Sequence, residues 1–192
     1  MESGDRADST KQRQTAIHES AHVIVTASQF FQQGAGERIE GGIFLTLASV
    51  VPTETTWGSM NLWEKCDSQI TLGAINMAGA VADVAHTGSM RNILYGARGD
   101  AEFVAQRLGI SEGDILHAWG YLLSSEDSPY ENLEWYGVLK DSFVLCTKII
   151  SARWHAILSL ANHLLDVREM GVRAIQEYLS EHQICAREWN NE

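Results

Sequence analysis

At 192 residues, with 45% hydrophobic and 20% charged side chains, the chain is long enough to bury the core of one medium domain. Its formal net charge of −11 and the lack of any basic run argue against non-specific nucleic-acid binding, which needs cations to displace counterions from phosphate, and against docking on an anionic membrane. Cys66, Cys146 and Cys185 are odd in number, far apart and without a C-x-x-C pair, so they read as free or buried thiols of a reducing compartment.

The polar opening Met1-Glu2-Ser3-Gly4-Asp5-Arg6 does not resemble a signal peptide, and no unbroken apolar run approaches the length of a bilayer span. A cytoplasmic protein without a transmembrane segment is expected. Two prolines and apolar residues at three- and four-residue spacing predict a mostly helical fold.

Asp8 or Ser9 is expected to cap a first helix running to about residue 30, with Ala16, Ile17, Ala21, Ile24 and Val25 apolar. Gln32 to Glu37 breaks it. Residues 42–51, apolar and β-branched and followed by Pro52, predict a strand, with residues 37–40 as a possible partner. A second helix is predicted from about Leu62 to His86, closing near Gly88. Its Gly73, Ala74, Ala78, Gly79, Ala80 and Ala82 would allow close approach of another helix. A third is expected from Asp100 to Gly109, and a fourth after a Ser111 cap with Asp114 near its positive end. A long helix over 131–167 and a short one over 170–181 complete an α+β, predominantly α-helical domain: a metal-binding helix, a short strand or hairpin, then a bundle of helices.

His18-Glu19-Ser20-Ala21-His22 carries the chemistry. Two histidines four apart share one helix face, so their imidazoles can bind one Zn²⁺ without backbone strain. Glu19, about 100° round the helix from His18, can act as general base toward a water that zinc acidifies and that attacks a peptide carbonyl. The chain's own His and Glu frequencies give H-E-x-x-H by accident in only about 2% of chains of this length. Here it also falls within a helical pattern, where the mechanism needs it.

A catalytic zinc needs a third protein ligand. Val25 and Ser28 stand where a metzincin extension would carry Gly and His, which excludes that branch. His86, His117, His155, His163 and His182 qualify by chemistry alone, as do Asp83, Asp100, Glu102, Glu131 and Glu134. Composition does not choose among them.

Thr15-Ala16-Ile17-His18-Glu19-Ser20-Ala21-His22 resembles the T-A-x-H-E-A-G-H of FtsH-type proteases, zinc peptidases normally fused behind an AAA ATPase. Gly42 to Pro52 is similar to that family's strand after the zinc helix, and Met77-Ala78-Gly79-Ala80-Val81-Ala82-Asp83 to its L-A-G-R-A-A-E. Tyr95-Gly96-Ala97-Arg98-Gly99-Asp100 resembles its G-A-S-N-D, which delivers an aspartate as third zinc ligand. The resemblance spans roughly residues 12–180. It departs at Ser20-Ala21 for Ala-Gly, at Ala80 for arginine, at Asp83 for glutamate and at Thr46 for glycine. No G-x-x-x-x-G-K-[ST] phosphate loop is present.

The resemblance implies one peptidase domain over 11–185 between tails at 1–10 and 186–192. Zn²⁺ would be held by His18, His22 and Asp100, with Glu19 as general base and Gly96 and Gly99 turning the backbone toward the metal. Plain helix capping is the structural alternative for Asp100. An extended substrate could pair with the strand at Phe44, Leu45, Thr46 and Leu47. The expected function is hydrolysis of peptide bonds in unfolded or flexible polypeptides, with a separate AAA unfoldase as a candidate partner and oligomerisation left open. The alternative is a non-catalytic module that binds peptides or an AAA partner. Trp119, Trp135 and Trp154 read as packing anchors, and Trp57 and Trp63 as partly buried residues or groove lining.

Overall fold

The structure, a computed structural model, describes residues 2–30, 44–49, 59–63, 68–89 and 96–185. Its first element, α1 (Glu2–Phe30), is longer than the sequence pattern implied. The chain stays helical through Asp8 and Ser9, which corrects the expected cap. Every residue from Ala16 to Ser28 is buried. With Ile17, Val23, Ile24 and Val25 wholly out of solvent, α1 stabilises the fold by roughly 1.5–3 kcal/mol for each of these side chains.

The expected strand is present as β1 (Phe44–Ser49). Its proposed partner at 37–40, the break at Gln32 to Glu37 and the stop at Pro52 lie outside the described residues. β1 pairs instead with β2 (Ser59–Trp63) on one side and β3 (Glu169–Gly171) on the other, both antiparallel, in the order β2-β1-β3. Phe44 faces Trp63 and Leu45 faces Leu62, and the register shifts between Leu45 and Leu47, leaving Thr46 as the irregular position. β3 pairs only with Leu47, Ala48 and Ser49.

Leu62 and Trp63 therefore belong to a strand, and the second helix begins later than expected. It is α2 (Gln69–Asn76), where the Ser68 side chain accepts a hydrogen bond from the Thr71 N–H. At Met77 the backbone turns and α3 (Ala78–Thr87) continues, with the Met77 N–H bonded to the Gly73 carbonyl and the Met77 carbonyl accepting from Val81. Gly88 ends α3 and Gly109 ends α4 (Arg98–Leu108), both at positive φ, which a residue without Cβ adopts without strain. Ser111 caps α5 (Glu112–Ser124) as expected, accepting from the Asp114 N–H at 3.1 Å.

α6 (Glu134–Val167) has 34 residues and is long and apolar enough, by length and composition, to cross a membrane. Lys140, Asp141, Lys148 and Arg153 interrupt its apolar sequence. Its buried positions (Tyr136, Leu139, Cys146, Ile149, Ile150, Ile157, Leu160, Ala161 and Leu164) recur at three- and four-residue spacing, the pattern of a helix with one face in a core. After β3, α7 (Val172–Glu181) buries Ile175, Tyr178 and Leu179.

The chain forms two compact units: Met1–Lys65 together with Arg153–Glu192, and Cys66–Ala152. In the first, α1 packs on β1 and β2, and α7 packs on β1 and β3. The Tyr178 hydroxyl donates to Ser159 Oγ at 2.8 Å, and the Tyr178 ring stacks on His182 with centroids 3.9 Å apart. In the second, α4 packs on α2 and α5, and the wholly buried Trp119 lines an apolar hollow with Met77, Val81, Leu122 and Phe143. Trp135 and Trp154 are half-buried. Cys146 is fully buried, which pushes its thiol well above the usual range and makes it inert.

Two expectations follow. A Cβ on Gly73 would meet the Ser142 side chain, at 2.9 Å from its Cβ and closer still to its hydroxyl. Gly73→Ala should therefore lower stability by about 1–3 kcal/mol, read as a drop in the urea midpoint. Burial raises the Tyr178 hydroxyl above its ordinary value of 10.0, partly offset by its bond to Ser159. Folded Tyr178 thus binds its proton more tightly than unfolded Tyr178, so its contribution is whole below pH 10 and fades as pH rises through the raised value. Urea midpoints should fall more steeply above pH 10 in the wild type than in Tyr178→Phe.

Candidate metal centre

α1 presents His18, Glu19 and His22 from its most deeply buried stretch. The three side chains are only 8%, 6% and 3% exposed. The helix brings the two imidazoles together as the four-residue spacing requires, with ring centroids 5.0 Å apart and planes inclined at 64°. Taking two imidazoles and a carboxylate out of water costs several kcal/mol unless partners or a metal compensate.

Asp100 is half-buried in the first turn of α4. It is not the cap of that helix. Ala97 holds the N-cap position and makes no side-chain cap bond. Gly99 lies within the same first turn and Gly96 just before the helix, and neither has positive φ, so the expected glycine-driven turn is absent there. Arg98, two residues before Asp100, is anchored to Glu112 at the start of α5 by an ion pair of 2.8 Å.

His18 and His22 each offer a ring nitrogen from α1 in the first unit, and Asp100 offers a carboxylate oxygen from α4 in the second. Nitrogen and oxygen donors of these kinds are among those that Zn²⁺ takes. The competing histidines His86, His117, His155, His163 and His182 are all exposed. His163 and His182 are engaged with the Tyr178 ring. Glu102, Glu131 and Glu134 are exposed, and Glu131 pairs with Lys140 at 2.8 Å. Asp83 is buried in α3, at 4% exposure.

Phe44, Leu45, Thr46 and Leu47 lie in β1, the central strand. Leu47 is paired on both sides, so a substrate strand has no edge to join there. Along Phe44–Thr46 the side away from β2 carries no partner among the described residues, and Thr46, the departure from glycine noted above, marks the register shift. Trp63 lies in β2, and Trp57 falls outside the described residues.

One feature of α1 escaped the sequence reading. At 100° per residue, Thr15, His18, Glu19, His22, Thr26 and Gln29 fall within an arc of about 100°, an entirely polar stripe along residues 15–30, a stretch that is otherwise apolar or small. A helical projection extended past the H-E-x-x-H would have revealed it. Compared with protein-family models and with curated proteins, the sequence matches none.

Proposed function

We propose that the chain is a zinc-dependent endopeptidase acting on unfolded or flexible polypeptides, with His18, His22 and Asp100 as metal ligands and Glu19 as general base. The observation that carries this reading is the burial of two imidazoles and one carboxylate at H-E-x-x-H spacing on a single helix. A carboxylate that served only solubility would lie on the surface. The resemblance to FtsH-type proteases supports Asp100 as the third ligand, and the donor chemistry agrees with it.

When bound, the ion supplies Lewis acidity toward a peptide carbonyl and toward water. Glu19 accepts a proton from the attacking water and returns it to the departing amine, so that water is added across the peptide bond and the carboxylate is regenerated. Burial of His18, Glu19 and His22 on one helix would limit the reorganisation the reaction requires. A substrate strand would pair with β1 along Phe44–Thr46, through main-chain hydrogen bonds that do not depend on sequence. Without an attached ATPase, the substrates are polypeptides that are already unfolded or that a separate unfoldase delivers.

Two measurements test this. Purified protein should carry one zinc per chain by metal analysis, with affinity falling at least tenfold in His22→Ala and in Asp100→Ala. Unchanged affinity in Asp100→Ala would move the third ligand elsewhere. Wild type should degrade a disordered polypeptide, and Glu19→Gln should be slower by at least a hundredfold while keeping its zinc. Equal cleavage by the two proteins would overturn Glu19 as base, and a fully zinc-loaded wild type without activity would favour a peptide-binding module.

A further inference from the structure

The polar stripe of α1 does not stop at the metal ligands. Thr26 follows His22 by one turn and Gln29 by two, about 6 and 10 Å along the axis. That is too far for either to touch an ion held at His18 and His22. Thr26 is 0% exposed. Its Oγ1 and the Gln29 Nε2 are buried and have no hydrogen-bond partner among the described residues. A buried hydroxyl and a buried amide without partners are destabilising, so a helix that carries both on its chemical face is better explained by a ligand than by packing.

A stray buried hydroxyl alone would not carry this. Ser20 has one too, wholly buried and without a partner, but its place on the helix is about 100° beyond Glu19 and outside the stripe. Thr26 and Gln29 are set apart by their arc, their pairing and their spacing from the H-E-x-x-H.

We propose that Thr26 and Gln29 form a polar subsite that selects a substrate residue with an amide or hydroxyl side chain (Asn, Gln, Ser or Thr) beside the bond that is cut. This rests on the peptidase reading of the same helix. An extended peptide advances about 3.3 Å per residue, so a chain lying along α1 brings its second or third residue from the scissile bond level with Thr26 and Gln29. A Thr hydroxyl and a Gln amide both donate and accept, and together they can satisfy either kind of side chain. An aliphatic side chain would leave both groups dry and unpaired, and a site built to hydrogen-bond rejects such analogues strongly.

The test uses the full zinc-loaded chain and a random-sequence disordered peptide library, with cleavage positions read by mass spectrometry. Wild type should favour Asn, Gln, Ser or Thr over aliphatic residues two or three positions from the cut by about fivefold or more. Thr26→Val and Gln29→Leu should lose that preference while keeping their zinc, whereas Ser20→Ala should retain the wild-type profile. Thermal melting of the zinc-loaded proteins without substrate supplies a readout independent of cleavage, in which Thr26→Val should melt no lower than wild type. Unchanged profiles in both variants of a cleaving enzyme would overturn the subsite and leave the metal centre standing. A melting point more than about 5 °C lower in Thr26→Val would show that its hydroxyl serves the fold, and would also overturn it. A wild type that cleaves nothing would remove the peptidase reading, and the subsite with it.

Discussion

Everything chemical in this molecule depends on burying ionisable groups in a helix that is itself buried. Thirteen consecutive residues of α1, from Ala16 to Ser28, are shielded from solvent, and His18, Glu19 and His22 are among them. The aliphatic side chains Ile17, Val23, Ile24 and Val25 hold the helix in place. The polar stripe is carried inward because it shares a rigid cylinder with them. The helix thus offers pre-set donors in a dry setting, where electrostatic interactions are stronger than in water.

Around that helix the first unit is built from non-local pieces. β1 is held between β2 and β3, and β3 comes from a part of the chain more than a hundred residues away. Within β1 the arrangement leaves Phe44–Thr46 with one side lacking a described partner, just where the register shifts. The second unit is local by comparison. Its helices α2 to α5 follow one another in chain order, small residues permit the close approach at Gly73, and Trp119 fills the space beside α3. Asp100 belongs to this unit and lies in the first turn of α4, three residues after the N-cap position held by Ala97.

Helix ends were legible where a side chain or a backbone angle acts locally. Ser111 accepts from an N–H three residues on, and Gly88 and Gly109 take a conformation that most residues avoid. The start of α1 was misplaced because a good N-cap residue does not end a helix when the residues before it can continue it. The helix predicted from Leu62 was misread because the apolar spacing of that stretch fits a half-buried strand as well as a helix. Pairing with β1 decides between them, and the partners of Leu62 and Trp63 are Leu45 and Phe44, seventeen and nineteen residues away.

The H-E-x-x-H spacing by itself determined that two imidazoles share a helix face with a carboxylate beside them, because 3.6 residues per turn leaves no other arrangement once the segment is helical. The sequence also determined the donor types, and the composition excluded a basic binding surface. Only the tertiary structure decided that these groups are buried rather than displayed, that Asp100 stands inside a helix rather than at its cap, and that the Thr26 hydroxyl and the Gln29 amide nitrogen of the same stripe are buried. Periodicity is local, but burial depends on what packs against a face, and that is set by segments far apart in the chain.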